Sequence, residues 1–136
     1  LCHGGLYCIP GFIAEAEDLN AQVKGVLRAL LIGYEIIAKL AKCFAHENLK
    51  LHGQSSLAAI GAAAAIGTLR KHTPEMIFQA VNSASTLDSS GPFDHAVKEA
   101  LIRITWPRLA ASNGLRVVDQ VEMGVIAIKT SIYQVY

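Results

Sequence analysis

Apolar residues at 9, 12, 13, 16 and 19 advance through IPGFIAEAEDL in steps of three and four, the spacing of one helix face, and predict a helix over residues 9–19. Asn20 then reads as the cap of a longer helix, AQVKGVLRALLIGYEIIAKLAKCFA. In it, positions 23, 26, 27, 30, 31, 34, 37, 38 and 41 form one broad apolar face, with Lys24, Arg28, Glu35, Lys39 and Lys42 largely outside it. After a break over residues 46–53 comes GQSSLAAIGAAAAIGTLRK, a helix built almost wholly from alanine, glycine and isoleucine, whose small side chains let neighbouring backbones approach closely. Thr73 as N-cap and Pro74 at the first helical position, where its missing N–H is harmless, mark the next start. The turn chemistry of TLDSSGPFDH makes residues 86–95 a loop, and Pro107 opens a last long helix that Gly124 ends. The tail VIAIKTSIYQVY is β-branched enough to be strand-like and equally suits a further helix. The pattern as a whole predicts an all-α, compact multi-helix domain of five or six helices with no substantial sheet.

Composition sharpens this picture. The chain has 136 residues, of which 52% are hydrophobic and only 17% charged, with a mean hydropathy of +0.36, which is apolar for a domain of this size. No segment offers about 18 uninterrupted apolar residues, and the run from Val26 to Ile37 is broken by Arg28, Gly33 and Glu35, so no membrane partner is expected. The formal net charge is +1 and the basic residues are scattered, which argues against nucleic acid. Three cysteines, at 2, 8 and 43, make neither a disulfide framework nor a zinc knuckle and read as reduced thiols of a cytoplasmic protein. The chain begins at Leu1 and is expected to be a piece of something longer.

Candidate chemistry is sparse: His3 ahead of GGLYCIP, His52 ahead of the alanine helix, and Arg103 close to Trp106. His46 and His72 read as solvated positions near helix ends, and His95 as a loop residue.

Taken in order, the blocks HGGLYCIPGFIAEAE, ALLIGYEIIAKLA, LHGQSSLAAIGAAAAIGTLRK, AVNSASTLDSSG and ALIRITWPRLAASNGLRVVDQVEMG resemble the helical domain of the MmgE/PrpD family over essentially the whole chain. That family includes 2-methylcitrate dehydratases, cis-aconitate decarboxylase and iminodisuccinate epimerase. The resemblance makes residues 1–136 part of a single helical domain truncated at both ends, and implies a homodimer that acts on a small carboxylate without a cofactor or metal. It places His3 and His52 as catalytic histidines and Ser56 and Gln54 in the hydroxyl-rich turn that binds substrate. Arg103 stands where dehydratases and decarboxylases of the family carry a lysine, and Trp106 where they carry a histidine. Both departures point away from decarboxylation and toward epimerase-like or uncharacterised branches.

The residue types suit the implied reaction. Dehydrating a 3-hydroxy acid, or epimerising a carbon next to a carboxylate, needs a base effective near neutrality and cationic partners for developing negative charge. Histidine supplies the base. An arginine grips a carboxylate at two points where a lysine acts as one point charge. The resemblance further implies an upstream acidic residue and threonine and a lid domain, none of them in these 136 residues, so the chain by itself is expected to be catalytically silent. The alternative outside enzymes is a non-catalytic helical oligomerisation module.

Overall fold

A computed structural model describes residues 4–44, 52–87, 91–98 and 100–136, and the side chains of all of these except residues 4–7, 53–56 and 96. Seven α-helices are present among them: α1 (Gly4–Asp18), α2 (Val23–Cys43), α3 (Gly53–Leu69), α4 (Pro74–Ala84), α5 (Phe93–Val97), α6 (Thr105–Glu122) and α7 (Ser131–Val135). A 3₁₀ turn, Leu101–Ile104, leads into α6, and no strand occurs among the described residues. The expected all-α domain is what forms, with seven helices among the described residues rather than five or six; in the tail only Ser131–Val135 is helical, and residues 125–128 have no regular structure.

The alanine-rich α3 is the axis, packed against α1, α2, α4 and α6. Ala58, Ile60, Ala62, Ala63, Ala64, Ala65 and Ile66 are wholly buried, so over residues 57–67 this helix has no solvent face. Its neighbours close on it at glycines. A Cβ on Gly33 of α2 would stand 2.8 Å from the Gly61 carbonyl oxygen, and one on Gly114 of α6 would stand 2.5 Å from Ala62 Cβ. Around these crossings Phe12, Ile37, Ile60, Ile66, Val117 and Val118 are fully buried, each contributing roughly 1.5–3 kcal/mol of transfer free energy.

Local chemistry explains most boundaries. Thr73 caps α4 by accepting from the Met76 N–H at 3.3 Å, with Pro74 in its first turn, as the sequence predicts. Gly124, at φ +79°, closes α6, its N–H reaching the Val121 carbonyl while the Val125 N–H reaches back to that of Gln120. The same closure ends α1 and α3 on residues that are not glycine: Asn20 (φ 47°) and Lys71 (φ 58°).

Several expectations are corrected. Asn20 does not cap α2. It terminates α1, and Gln22 precedes α2 without a side-chain cap. α1 begins at Gly4, well before Ile9, and carries Pro10 in its interior on an exposed position, at the cost of one backbone hydrogen bond and a crowded preceding turn. α6 begins at Thr105, with Pro107 still inside the first turn, where its N–H has no helical partner to lose. The loop expected over 86–95 gives way to α5 from Phe93.

The apolar face of α2 is the largest correction. Ala29, Gly33 and Ile37 face the core, while Val23, Leu27, Leu31 and Tyr34, expected on the same face, are 74%, 61%, 61% and 49% exposed. The small residues decide the rotation, since only they permit the close crossing with α3.

Candidate functional site

His52 occupies the N-cap position of α3, and its own side chain does not cap the helix. It is buried, 9% exposed, although it lies at a helix mouth. Its backbone N–H donates to the Gly91 carbonyl at 3.0 Å, tying the entrance of α3 to the segment that leads into α5. That bond brings a set of rings together. The His52 imidazole stacks on Phe93 with centroids 6.0 Å apart and tilts against Trp106 at 5.3 Å, and His95 stacks on Trp106 at 6.2 Å with the planes 15° apart. Gly91 lies under the same indole, where a Cβ would overlap Trp106 Cζ2. The arrangement is a packed cluster of two imidazoles and two aromatic rings at the positive end of a 17-residue helix dipole. His95 Nδ1 is buried there with no hydrogen-bond partner among the described residues.

Of the residues singled out from sequence, His52 and Trp106 are thus brought into contact. Arg103 lies on the exposed 3₁₀ turn that feeds Trp106 into α6, its backbone N–H bonded to the Ala100 carbonyl. Gln54 and Ser56 belong to the first turn of α3, with side chains outside those described, and His3 and His46 lie outside the described residues altogether. Sequence reasoning missed Gly91 and Phe93 and reduced His95 to a loop residue. The only signal in the sequence was the compact GPFDH run itself.

The opposite end of α3 carries a charged cluster that is structural. Arg70 Nε donates to Glu15 Oε1 at 2.6 Å, and its Nη1 to Asp119 Oδ1 at 2.7 Å and Glu122 Oε1 at 3.0 Å. Hydrogen bonding to Glu15 is the largest influence on the guanidinium and raises its pKa above the ordinary arginine value, burial opposes, and Asp119 and Glu122 add to the rise. His72, expected to be solvated, is instead largely buried, with Nε2 2.7 Å from Glu122 Oε1. Asn82, fully buried, holds the C-terminal tail: it donates to the Ile128 carbonyl at 2.6 Å and accepts from the Ile132 N–H at 3.1 Å.

Among the described residues no helix is long and apolar enough to cross a membrane, and no group of three His, Cys, Asp or Glu side chains is placed to hold a metal ion. No curated protein and no solved structure matches the chain. A family model does: the MmgE/PrpD N-terminal domain matches residues 2–134, nearly the whole length, with His52 and its aromatic surround inside the matched span. The glycine-crossed alanine helix and the buried histidine at its mouth are therefore features of a chain that belongs to the MmgE/PrpD family.

Proposed function

We propose that this domain is part of a cofactor-free enzyme that removes a proton next to a carboxylate of a small di- or tricarboxylate. The leading reaction is dehydration of the 2-methylcitrate dehydratase type. The observation that carries the reading is His52: a buried imidazole at the N-terminus of α3, walled by Phe93 and Trp106. In that position a substrate carboxylate meets the free backbone N–H groups of the first turn, and the apolar wall strengthens every charge interaction made there. His52 takes the proton from carbon, His3 and the α3 turn residues Gln54 and Ser56 complete the substrate contacts, and Arg103 grips a carboxylate from the neighbouring 3₁₀ turn. In dehydration the electron pair of the broken C–H bond forms the double bond, and hydroxide departs as water on receiving a proton.

Epimerisation of a dicarboxylate is the second reading, favoured by Arg103 and Trp106 standing where dehydratases of the family have lysine and histidine. Both reactions begin with the same proton abstraction. Incubating the full-length protein with citrate, 2-methylcitrate and aspartate-derived dicarboxylates in deuterated water separates them: an alkene product marks dehydration, and deuterium at the carbon without alkene marks epimerisation. Absence of both with every acid overturns the reading.

A further inference from the structure

His95 is fixed by its backbone and left open by its side chain. Its N–H donates to the Pro92 carbonyl at 3.0 Å, and its own carbonyl accepts from the Ala100 N–H at 3.0 Å. The ring lies nearly parallel to the Trp106 indole, the same indole against which His52 tilts. Nδ1 is buried with no hydrogen-bond partner among the described residues, while the residue as a whole stays partly exposed. The neighbouring carboxylate is taken up elsewhere, with Asp94 Oδ2 2.8 Å from Lys98 Nζ.

Packing alone does not account for this arrangement. His72 also buries an unpartnered Nδ1, but its Nε2 is anchored on Glu122 at 2.7 Å, whereas no ion pair or hydrogen bond holds the His95 ring among the described residues. Were stacking on the indole its whole task, a phenyl ring would perform it without stranding a buried nitrogen. What a phenyl ring cannot do is carry a proton at Nε2.

Dehydration requires two proton transfers, and His52 performs one of them. The other delivers a proton to the departing hydroxyl, because hydroxide is a poor leaving group. Resting on the dehydratase reading above, we infer that His95 is the general acid of the reaction, a second imidazole on the Trp106 indole that meets the substrate hydroxyl and protonates it as it leaves. His52 removes the proton from carbon, and the electron pair of that C–H bond becomes the double bond. The C–O bond breaks with its pair on oxygen, and the proton from His95 Nε2 completes a water molecule. His52 ends protonated and His95 neutral, so the summed charge of the two rings is unchanged and proton exchange with solvent resets both.

Steady-state kinetics on the full-length protein test this, using citrate and 2-methylcitrate and their analogues with fluorine in place of the departing hydroxyl, since fluoride leaves without a proton. His95→Asn is expected to slow alkene formation from the hydroxy acid by roughly 10²–10⁴-fold, and from the fluoro analogue by less than about fivefold. The comparison lies within one variant, so a loss of folded protein, which lowers both rates alike, cannot imitate it. His95→Phe, which keeps a ring stacked on Trp106, is expected to show the same split. Equal losses on the two substrates overturn the acid role and leave His95 a packing residue, and an undiminished rate on the hydroxy acid overturns it as well. Wild-type protein that forms no alkene from either hydroxy acid overturns the dehydration reading itself, a failure seen before any variant is made, and this assignment falls with it.

Discussion

Arg70 and Glu15 meet at 2.6 Å in a pairing that joins the end of α3 to α1, with Glu15 only 7% exposed. Because the same guanidinium also reaches Asp119 and Glu122, one side chain fixes three helices. Arg70→Met is expected to destabilise the domain by about 3–5 kcal/mol, since it strands a buried carboxylate, while Arg70→Met/Glu15→Leu recovers much of that loss. Urea unfolding of both variants measures it. The arginine pKa is raised, so its contribution is complete at every pH below the ordinary arginine value and is lost only as pH climbs through the raised one. Across acid and neutral pH the guanidinium itself therefore imposes no pH dependence.

Glycine-to-alanine substitutions on α2 are expected to differ in sign. At Gly33 the new methyl meets a backbone oxygen that cannot yield, and a loss of about 1–3 kcal/mol follows. At Gly25 nothing lies within 4 Å, and the gain in helix propensity stabilises by roughly 0.5–1 kcal/mol. Gly61→Ala collides with the end of the Ile37 side chain, so Ile37→Val in the same chain is expected to relieve part of its cost. Thermal melts of the four variants check the order.

Lys71 closes α3 with φ at 58°, a conformation that costs an L-residue roughly 1 kcal/mol. Lys71→Gly is expected to raise stability by several tenths of a kcal/mol to about 1 kcal/mol, and Lys71→Val to lower it by more. Equal midpoints in denaturant for both variants would contradict the assignment of this residue as the helix terminator.

On the proposed function, His52→Gln in the full-length protein is expected to reduce kcat by roughly 10²–10⁴-fold with little change in KM, the signature of losing a proton-transfer group. Arg103→Lys is expected to cost about tenfold to a hundredfold in kcat/KM, because a two-point carboxylate contact becomes a single one. Steady-state kinetics with the turned-over acid decides. Full efficiency in Arg103→Lys at an unchanged melting temperature would rule out a carboxylate held by this turn.

What was legible in the sequence was what is decided within a few residues. Thr73 with Pro74, and Gly124, act on backbone groups next to them in the chain, and the first pair starts α4 and the glycine ends α6 as read. The position of His52 at the mouth of α3 was legible as well, because a residue directly ahead of an alanine-rich helix lies on a buried element. The facing of α2 was not. Periodicity reveals apolar stripes without saying which one meets the core, and the choice was made by Gly33 meeting Gly61, two residues from different helices. Gly91, Phe93 and His95 were hidden for the same reason: they join His52 through one backbone bond between distant segments. Asn20 misled because asparagine serves at either end of a helix, and only the left-handed backbone at that position decides which.

The burial of α3 on every side also governs how the domain assembles. Small side chains give this helix little to hold onto until partners arrive on all flanks, and α1, α2, α4 and α6 all pack against it while α6 also packs against α1 and α4. Neither the axis nor its surround is expected to be a stable intermediate without the other. The contacts that matter join residues far apart in sequence, such as Glu15 with Arg70 and Ala62 with Gly114, so they form late and together. Folding is consequently expected to be all-or-none across the helices that touch α3, with limited proteolysis within this set yielding no smaller stable core.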